Sequence, residues 1–441
     1  MKVTNLFKGL LLSGAVILSS CSKDSPTPAP TNLDCNGVEN GTSLTDDCGD
    51  CQQAYIYNMT SHEVTLLDDT AGVVLSDPMD MIIMPDNPMN PYWNAGCAGA
   101  TYAFSHQGQS TVSYGGQTTR LDMASEMMSA LASSSTTEAM LNGMFENSGN
   151  YFSDDALNAA TKQIKSKTAV GAENALTTSE QAAVVALFPV WFADYATNVA
   201  PIVGSTTMAA PGTPGMIENR ELNAKGLEYD QIVAKSLIGA LCLDQVVNNY
   251  LSNTVLDVSD NTDRSNGYTT MEHKWDEAYG YVYGKFGPDN STGDLDSDGL
   301  LGKYLNKAGF EAEKEAVFNA FIAGRQAIID QDYATRDIQA AIIKSNLSKV
   351  VAQKAVDYLT GAANTVGSLN ADYFHGLSEG YGFILSLQFT NDGNGNAYFT
   401  HSEVNSMLTT LVHPTTGNGL WDLNAAVLTG MANTIQAAAG L

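Results

Sequence analysis

The sequence predicts an all-α protein, a duplicated helical bundle of about nine to eleven helices, preceded by a small disulfide-stapled, partly β module. Beyond Thr119, segment after segment shows apolar residues at helical spacing, and there is little sustained alternation of period two. Five of the six cysteines lie within the first 97 residues, where only short strand-like segments occur. The chain is too long for one compact core, which favours two units or a duplicated one.

The first element is an export signal. Lys2 and Lys8 accompany an apolar run, Leu10–Leu18, that at about nine residues is too short to span a bilayer. The Leu-Ser-Ser-Cys string that ends at Cys21 resembles a bacterial lipobox, in which the cysteine carries the lipid. We therefore expect a signal peptide over residues 1–20 and an outer-membrane protein held by a lipid on Cys21, at the cell surface or the periplasmic face. An ordinary signal peptide with a chance cysteine is the alternative.

The next two elements are a tether and a small module. Residues 21–33 contain Ser-Pro-Thr-Pro-Ala-Pro, which predicts a flexible spacer. Residues 34–100 form the Cys-bearing module, with a Met/Pro/Asn-rich loop over 79–94. Its strand-like segments are Tyr55–Tyr57, Val64–Leu66 and Val73–Leu75.

The cysteines predict disulfides in the module and one free thiol. In an exported protein, Cys35, Cys48, Cys51 and Cys97 favour two bridges, whose pairing the spacing leaves open. A zinc site at the Cys48-x-x-Cys51 pair is the alternative. Cys242 stands in an apolar run, which predicts a buried free thiol.

Residues 101–441 form the predicted helical domain. Thr269-x-x-Glu272 and Thr400-x-x-Glu403 match the capping box that starts helices. The segments with apolar residues at helical spacing are Arg120–Leu131, Glu180–Val199, Tyr229–Leu251, Lys314–Asp330, Thr335–Leu359 and Ser402–Leu411.

One motif occurs twice in this domain, and it indicates an internal duplication. The ten residues from His273 align with the ten from His375, with four identities and two conservative matches. A helix ending in Tyr-Leu precedes each copy. In both copies a glycine, Gly280 or Gly382, lies inside the helix, where it costs about 1 kcal/mol relative to alanine. The repeated glycine therefore favours close approach of another helix.

The His and Glu of each copy, spaced i to i+4, share one helix face. In one interpretation each Glu accepts a hydrogen bond from its own His in a bundle core. In the other, the two helices bring their pairs onto one transition-metal ion, iron or zinc, as carboxylate–histidine sites do in other bundles. The ligands would be His273, Glu277, His375 and Glu379, with Asp276 as an additional ligand.

The chain resembles a family of Bacteroidota lipoproteins, domain of unknown function 4856, from about Tyr102 to Leu441. The strings that carry the resemblance are Tyr114-Gly-Gly-Gln-Thr-Thr-Arg-Leu121, Lys225-Gly-Leu-Glu-Tyr-Asp-Gln231, Glu272-His-Lys-Trp-Asp-Glu-Ala-Tyr-Gly-Tyr281 and Leu377-Ser-Glu-Gly-Tyr-Gly-Phe383.

More distantly, the domain is similar to imelysin-like proteins, and that similarity implies an exported duplicated helical bundle linked to iron uptake. Their Gly-x-His-x-x-Glu pattern is not kept. Met271 and Tyr373 stand where the glycine would be, and Asp276 and Ser378 stand where the glutamate would be.

Two further strings suggest chemistry only weakly. Asp294, Asp296 and Asp298 match the start of an EF-hand calcium loop, but position 12 is Leu305 where the bidentate glutamate belongs. A solvated acidic loop is the alternative to calcium. Residues 376–380 read Gly-Leu-Ser-Glu-Gly, yet a nucleophile elbow needs a strand before the serine, and this string lies in a helical repeat.

The charge balance excludes one class of partner. With 48 acidic and 21 basic residues, the net charge is −27, which repels phosphate backbones, so no nucleic-acid partner is expected. We expect a non-catalytic cell-envelope lipoprotein related to metal or iron uptake, with an outer-membrane uptake partner. A surface glycan-binding lipoprotein and an imelysin-like metallopeptidase are the alternatives, and the oligomeric state stays open.

Overall fold

The computed structural model describes residues 33–46, 51–59, 64–87, 90, 101–285 and 300–441. Several predictions lie outside these residues. They concern the signal peptide, the lipid on Cys21, most of the tether, Cys48, Cys97 and the loop with Asp294, Asp296 and Asp298.

The N-terminal module is a small antiparallel structure closed by one bridge between Cys35 and Cys51. Strand β3 is central, with β4 and β5 on either side. The prediction of a strand at Val73–Leu75 is wrong, since this segment forms no ladder and Val74 is exposed. Strand β5 instead lies at the start of the Met/Pro/Asn-rich segment over residues 79–94, which was predicted to be a loop. The strands of the module are β1 (Leu44–Thr45), β2 (Cys51–Gln52), β3 (Ala54–Asn58), β4 (Val64–Leu67) and β5 (Asp80–Ile83).

The described part of the helical domain contains thirteen α-helices, more than the nine to eleven predicted. The additional ones are short. The helices are α1 (Gly115–Ala130), α2 (Glu138–Glu146), α3 (Asp155–Ala159), α4 (Thr178–Asp194), α5 (Tyr229–Leu237), α6 (Asn253–Leu256), α7 (Thr270–Tyr283), α8 (Leu301–Leu305), α9 (Glu311–Asp330), α10 (Tyr333–Thr365), α11 (Ala371–Ser386), α12 (His401–Leu411) and α13 (Ala425–Ala439).

The helical domain also contains two short hairpins. The first precedes α1, and the second lies between α4 and α5. Their strands are β6 (Ser105–His106), β7 (Gln109–Ser110), β8 (Gly215–Ile217) and β9 (Arg220–Leu222).

Helix starts follow the sequence signals closely. Thr269 and Thr400 form complete capping boxes with Glu272 and Glu403, as predicted. In each box the threonine side chain accepts from the third helical amide, and the glutamate accepts from the threonine amide. A third capping box begins α4 at Thr177.

The core is built around α10, which packs against α9, α11 and α13. The helix that begins with α5 continues to Tyr250 through two π-helical stretches, Ile238–Leu243 and Val246–Tyr250. This helix is buried along most of its length. Cys242 lies within it as a buried free thiol, which confirms that prediction.

The two copies of the repeated motif lie on α7 and α11, and each of these helices packs against a helix from earlier in the chain. Helix α1 packs against α7, and α5 packs against α11. A Cβ on Gly280 of α7 would lie 2.5 Å from the Cβ of Tyr114, at the start of α1. A Cβ on Gly382 of α11 would lie 2.5 Å from the Cβ of Lys235 on α5. The prediction that both glycines permit close helix approach is confirmed.

One helical segment among the described residues, Thr178–Ile202, is long and apolar enough to cross a membrane by length and composition alone. Its mean hydropathy is 1.3, and 33% of the window is buried. Core helices of soluble proteins pass the same criteria, so this segment does not decide where the protein resides.

Candidate functional site

The two crossings, α1 with α7 and α5 with α11, hold their helices by matching contacts. We call them the first and the second crossing. At the first, the backbone N–H of Ser113, just before α1, donates to Asp276 Oδ2 at 3.1 Å. At the second, the N–H of Glu228, just before α5, donates to Ser378 Oγ at 2.9 Å. Asp276 and Ser378 occupy the same place in the repeated motif, and each accepts a backbone N–H from a residue just before the packed helix.

Glu277 is the centre of the first crossing. Its Oε1 accepts from Gln117 Nε2 at 3.0 Å and from the Tyr250 hydroxyl at 3.2 Å, and its Oε2 accepts from Lys274 Nζ at 2.7 Å. Burial opposes its ionisation, but Lys274, His273 and Gln117 together outweigh burial, and the pKa of Glu277 is lowered. The carboxylate is therefore ionised and fixed in place.

His273 lies beside this carboxylate without bonding to it. Its Nε2 is 4.0 Å from Glu277 Oε2, and its ring stacks on Tyr268 with centroids 4.7 Å apart. Burial lowers the pKa of His273 and Lys274 lowers it further, against the opposing pull of Glu277. The imidazole therefore favours the neutral form. Its side chain is 28% exposed, so solvent reaches this crossing.

Glu379 has the corresponding place at the second crossing, where it is paired more fully. Lys235 Nζ lies 2.9 Å from Glu379 Oε1, and the Tyr304 hydroxyl donates to the same oxygen at 2.9 Å. Tyr358 also interacts with this carboxylate, as Tyr250 does at the first crossing. Burial would raise the pKa of Glu379, but Lys235, Tyr358 and His375 together lower it. The Lys235–Glu379 pair is almost completely buried.

His375 bonds to a partner outside its own motif. Its Nδ1 is 2.7 Å from Glu228 Oε2, while its Nε2 is 3.8 Å from Glu379 Oε2. Glu228 also pairs with Arg220 at 3.0 Å. Neither His of the repeated motif therefore hydrogen-bonds its own Glu, which corrects the expected polar pair. Glu228 also acts on the nearby Asp230 of α5, because burial and the negative charge of Glu228 both raise the pKa of that carboxyl.

Asp276, named above as an additional metal ligand, is part of a buried ion-pair network. Arg325, which is fully buried, donates to Asp276 Oδ1 at 3.0 Å and to Glu272 Oε1 at 2.9 Å. The Tyr102 hydroxyl donates to Asp276 Oδ1 at 2.6 Å. Burial raises the pKa of Asp276 to about 6, against the opposing effect of Arg325. The side chain thus helps to hold the fold.

Within the described residues, the structure does not bring the predicted metal ligands of the two copies together. Helix α7 packs chiefly against α1, α9 and the 246–250 stretch, whereas α11 packs against α5, α10 and α12. Among the residues that the structure describes, no three His, Cys, Asp or Glu side chains are placed to hold a metal ion. His273, Glu277, His375 and Glu379 therefore do not fit one iron or zinc ion, because each carboxylate already serves cationic and hydroxyl donors.

The Gly-x-Ser-x-Gly string is part of a helix, as expected. Ser378 is buried in α11, and its hydroxyl donates to the carbonyl oxygen of Phe374 at 2.7 Å. It is therefore no exposed nucleophile.

Several residues that build the crossings were not singled out from the sequence. They are Gln117, Lys235, Glu228 and Arg325. Gln117 and Glu228 lie within strings that carry the family resemblance, and that is the signal that could have pointed to them.

These features define an all-α domain of duplicated helix crossings, each centred on a carboxylate with a histidine beside it. A family model described as a domain of unknown function (DUF4856) matches residues 99–441, and the chain belongs to this family. No curated protein and no solved structure matches the chain. The similarity to imelysin-like proteins stays a prediction.

Proposed function

We propose that this protein is a lipid-anchored, non-catalytic ligand-binding protein of the cell envelope, and that it binds its ligand at the first crossing. The supporting observation is the contrast between the two crossings. His273, Lys274 and Glu277 are half-buried and reach solvent, with side-chain exposures of 28%, 30% and 15%. At the second crossing His375 is similarly exposed, at 24%, but Lys235 is 8% exposed and is buried against Glu379. The contrast therefore lies in the lysines.

Binding suits the first crossing better than proton transfer does. A general acid or base works best with a pKa near the operating pH and with freedom to exchange its proton. The pKa of Glu277 is lowered, and three donors fix its carboxylate. Such a group orients neighbouring donors, and His273 presents a neutral imidazole beside it.

The envelope location rests on the sequence alone. Lys2, Lys8 and the short apolar run before Cys21 support an export signal with lipid attachment. Cys21→Ser should release the exported protein in soluble form. A variant that stays in the membrane fraction would contradict the anchor.

Binding is tested by thermal shift of the full-length protein against neutral glycans, small anions, and iron and zinc salts. A ligand that binds the native state raises the melting temperature. We expect His273→Ala to abolish the shift and the matched variant His375→Ala to retain it. The reverse pattern, or no shift with any ligand, would contradict the proposal. Iron or zinc retained at about one equivalent would support metal uptake instead, and a shift with glycans alone would support glycan capture.

A further inference from the structure

A buried arginine at the first crossing has no carboxylate partner. Arg120, on α1, is 6% exposed, and its guanidinium donates to the carbonyl oxygens of Gln163 at 2.9 Å and Gly116 at 3.1 Å. Within the part of the chain that the structure describes, it forms no ion pair. The other two buried arginines there, Arg325 and Arg336, each pair with two carboxylates. Buried charges are normally paired, because desolvating an unpaired one is costly.

Lys162 brings a second cation to the same place. Lys162 Nζ and Arg120 Nη1 lie 3.5 and 3.6 Å from the position that a Cβ on Gly116 would take, so they are at most about 7 Å apart. Like Arg120, Lys162 pairs with no carboxylate among the described residues. Two positive groups therefore converge over one glycine without an anion between them.

Two more cations lie around Tyr250. Lys167 Nζ is 5.3 Å and Lys274 Nζ is 5.4 Å from the centre of its ring. Burial and the nearby cations, Arg120 among them, lower the pKa of Lys167, and Glu277 is the carboxylate that opposes them. The cationic cluster is hereafter Arg120, Lys162, Lys167 and Lys274, with Glu277 as its carboxylate.

At the second crossing, the positive side chains are paired with carboxylates. Lys235 pairs with Glu379 at 2.9 Å, and Arg220 pairs with Glu228 at 3.0 Å. Lys354 Nζ lies 4.8 Å from the centre of the Tyr358 ring, much as Lys167 lies over Tyr250. Lys354 also pairs with Asp357 at 2.9 Å. Each cation there has its own carboxylate. The unpaired cationic side chains at the first crossing are therefore not required for the helices to pack.

We propose that the cationic cluster binds a small polyvalent anion that carries carboxylate or phosphate groups. Arg and Lys side chains form strong charge-assisted hydrogen bonds with such groups. The ligand is small because the remainder of this protein is strongly acidic, with 48 acidic against 21 basic residues, and would repel a long polyanion. This proposal rests on the proposed function, since it names the ligand class of the same crossing.

Calorimetric titration of the full-length protein in detergent with citrate, and separately with inorganic phosphate, tests the proposal. Two probes are used because a carboxylate and a phosphate ligand share this chemistry, and the tighter one identifies the source. Lys162→Gln and Lys167→Gln should each weaken binding about tenfold, the loss expected for one charge-assisted hydrogen bond. Lys354→Gln is the matched control and should leave the affinity unchanged.

Glu277→Gln should increase the affinity for citrate, which a misfolded variant could not do. It removes the carboxylate that repels an anion, so citrate should bind more tightly, and raised salt should weaken binding in every variant. No binding of either anion, an equal loss in Lys354→Gln, or a weaker Glu277→Gln complex would overturn the proposal. A neutral glycan or metal ion whose binding needs His273 would leave the proposed function standing while this proposal fails. Absence of any ligand at the first crossing would remove both.

Discussion

Two mid-helix glycines let the paired helices approach closely, and alanine at these positions would force them apart. A Cβ on Gly382 would lie 2.5 Å from Lys235 Cβ and 2.8 Å from the backbone nitrogen of Ser236. A Cβ on Gly280 would lie 2.5 Å from Tyr114 Cβ. These separations are shorter than packed atoms tolerate, so the neighbouring helix must move.

The size of the effect follows from two opposing contributions. Replacing glycine by alanine in a helix interior stabilises by about 1 kcal/mol, whereas overpacking a core costs about 1–3 kcal/mol and occasionally more. At Gly382 the clash includes backbone atoms of α5, so the helix must shift and strain the Lys235–Glu379 pair. We expect Gly382→Ala to be net destabilising by about 2 kcal/mol. Gly280→Ala meets side-chain atoms and should cost about 1 kcal/mol.

Gly361 provides the matched control for urea denaturation followed by circular dichroism. It lies inside α10, it is exposed, and nothing lies within 4 Å of the position of its Cβ. Gly361→Ala should therefore stabilise by about 0.5–1 kcal/mol. If Gly382→Ala stabilised the protein as much as this control, close approach at the second crossing would be refuted.

Three further predictions concern the buried ions and the module. Asp276→Ala would leave the buried Arg325 with Glu272 as its remaining carboxylate and the Tyr102 hydroxyl without its acceptor, and should destabilise by about 3 kcal/mol in urea. A loss below about 1 kcal/mol would contradict the network. Burial raises the pKa of Asp244 to about 6. The native state thus binds an extra proton above the unfolded pKa near 3.9, and stability should fall by about 2–3 kcal/mol as pH rises from about 4 to 6. Asp244→Asn should remove this share of the slope in pH-dependent melts and leave the share of Asp276 and Asp230, whose pKa values are also raised. An unchanged slope would exclude Asp244 as a contributor. Cys51→Ser opens the bridge to Cys35 and should loosen the module by about 3 kcal/mol in hydrogen exchange while the helical domain keeps its protection; loss of protection in both would contradict a separate module.

The helical architecture could be predicted because its signals are local. Apolar spacing marked the long helices, and the capping boxes at Thr269 and Thr400 marked two starts. The additional helices α3, α6 and α8 have five residues or fewer, too few for a period to emerge. Val73–Leu75 is apolar without pairing, because its neighbours in space and not its composition decide whether it joins a sheet.

The candidate site could be predicted only in part, because its partners are distant in sequence. The repeated His and Glu correctly indicated two equivalent helices with a close approach at each glycine. Gln117, however, reaches Glu277 from 160 residues away, and Arg325 reaches Asp276 from 49 residues away. Spacing within one helix cannot show which helix crosses it, so a metal ligand and an ion-pair partner look alike in sequence.

The central claim is that the two crossings differ in their charge balance, and that the unpaired cations of the first crossing bind a ligand. Quantitative lysine acetylation of the full-length protein, with and without citrate, tests it most directly. Lys167 should be modified readily, because its lowered pKa leaves more neutral amine, and citrate should protect it together with Lys162 and Lys274. Lys235 should stay unmodified in both samples, because it is buried against Glu379. Equal modification of Lys167 and Lys235, or no protection by citrate, would contradict the account.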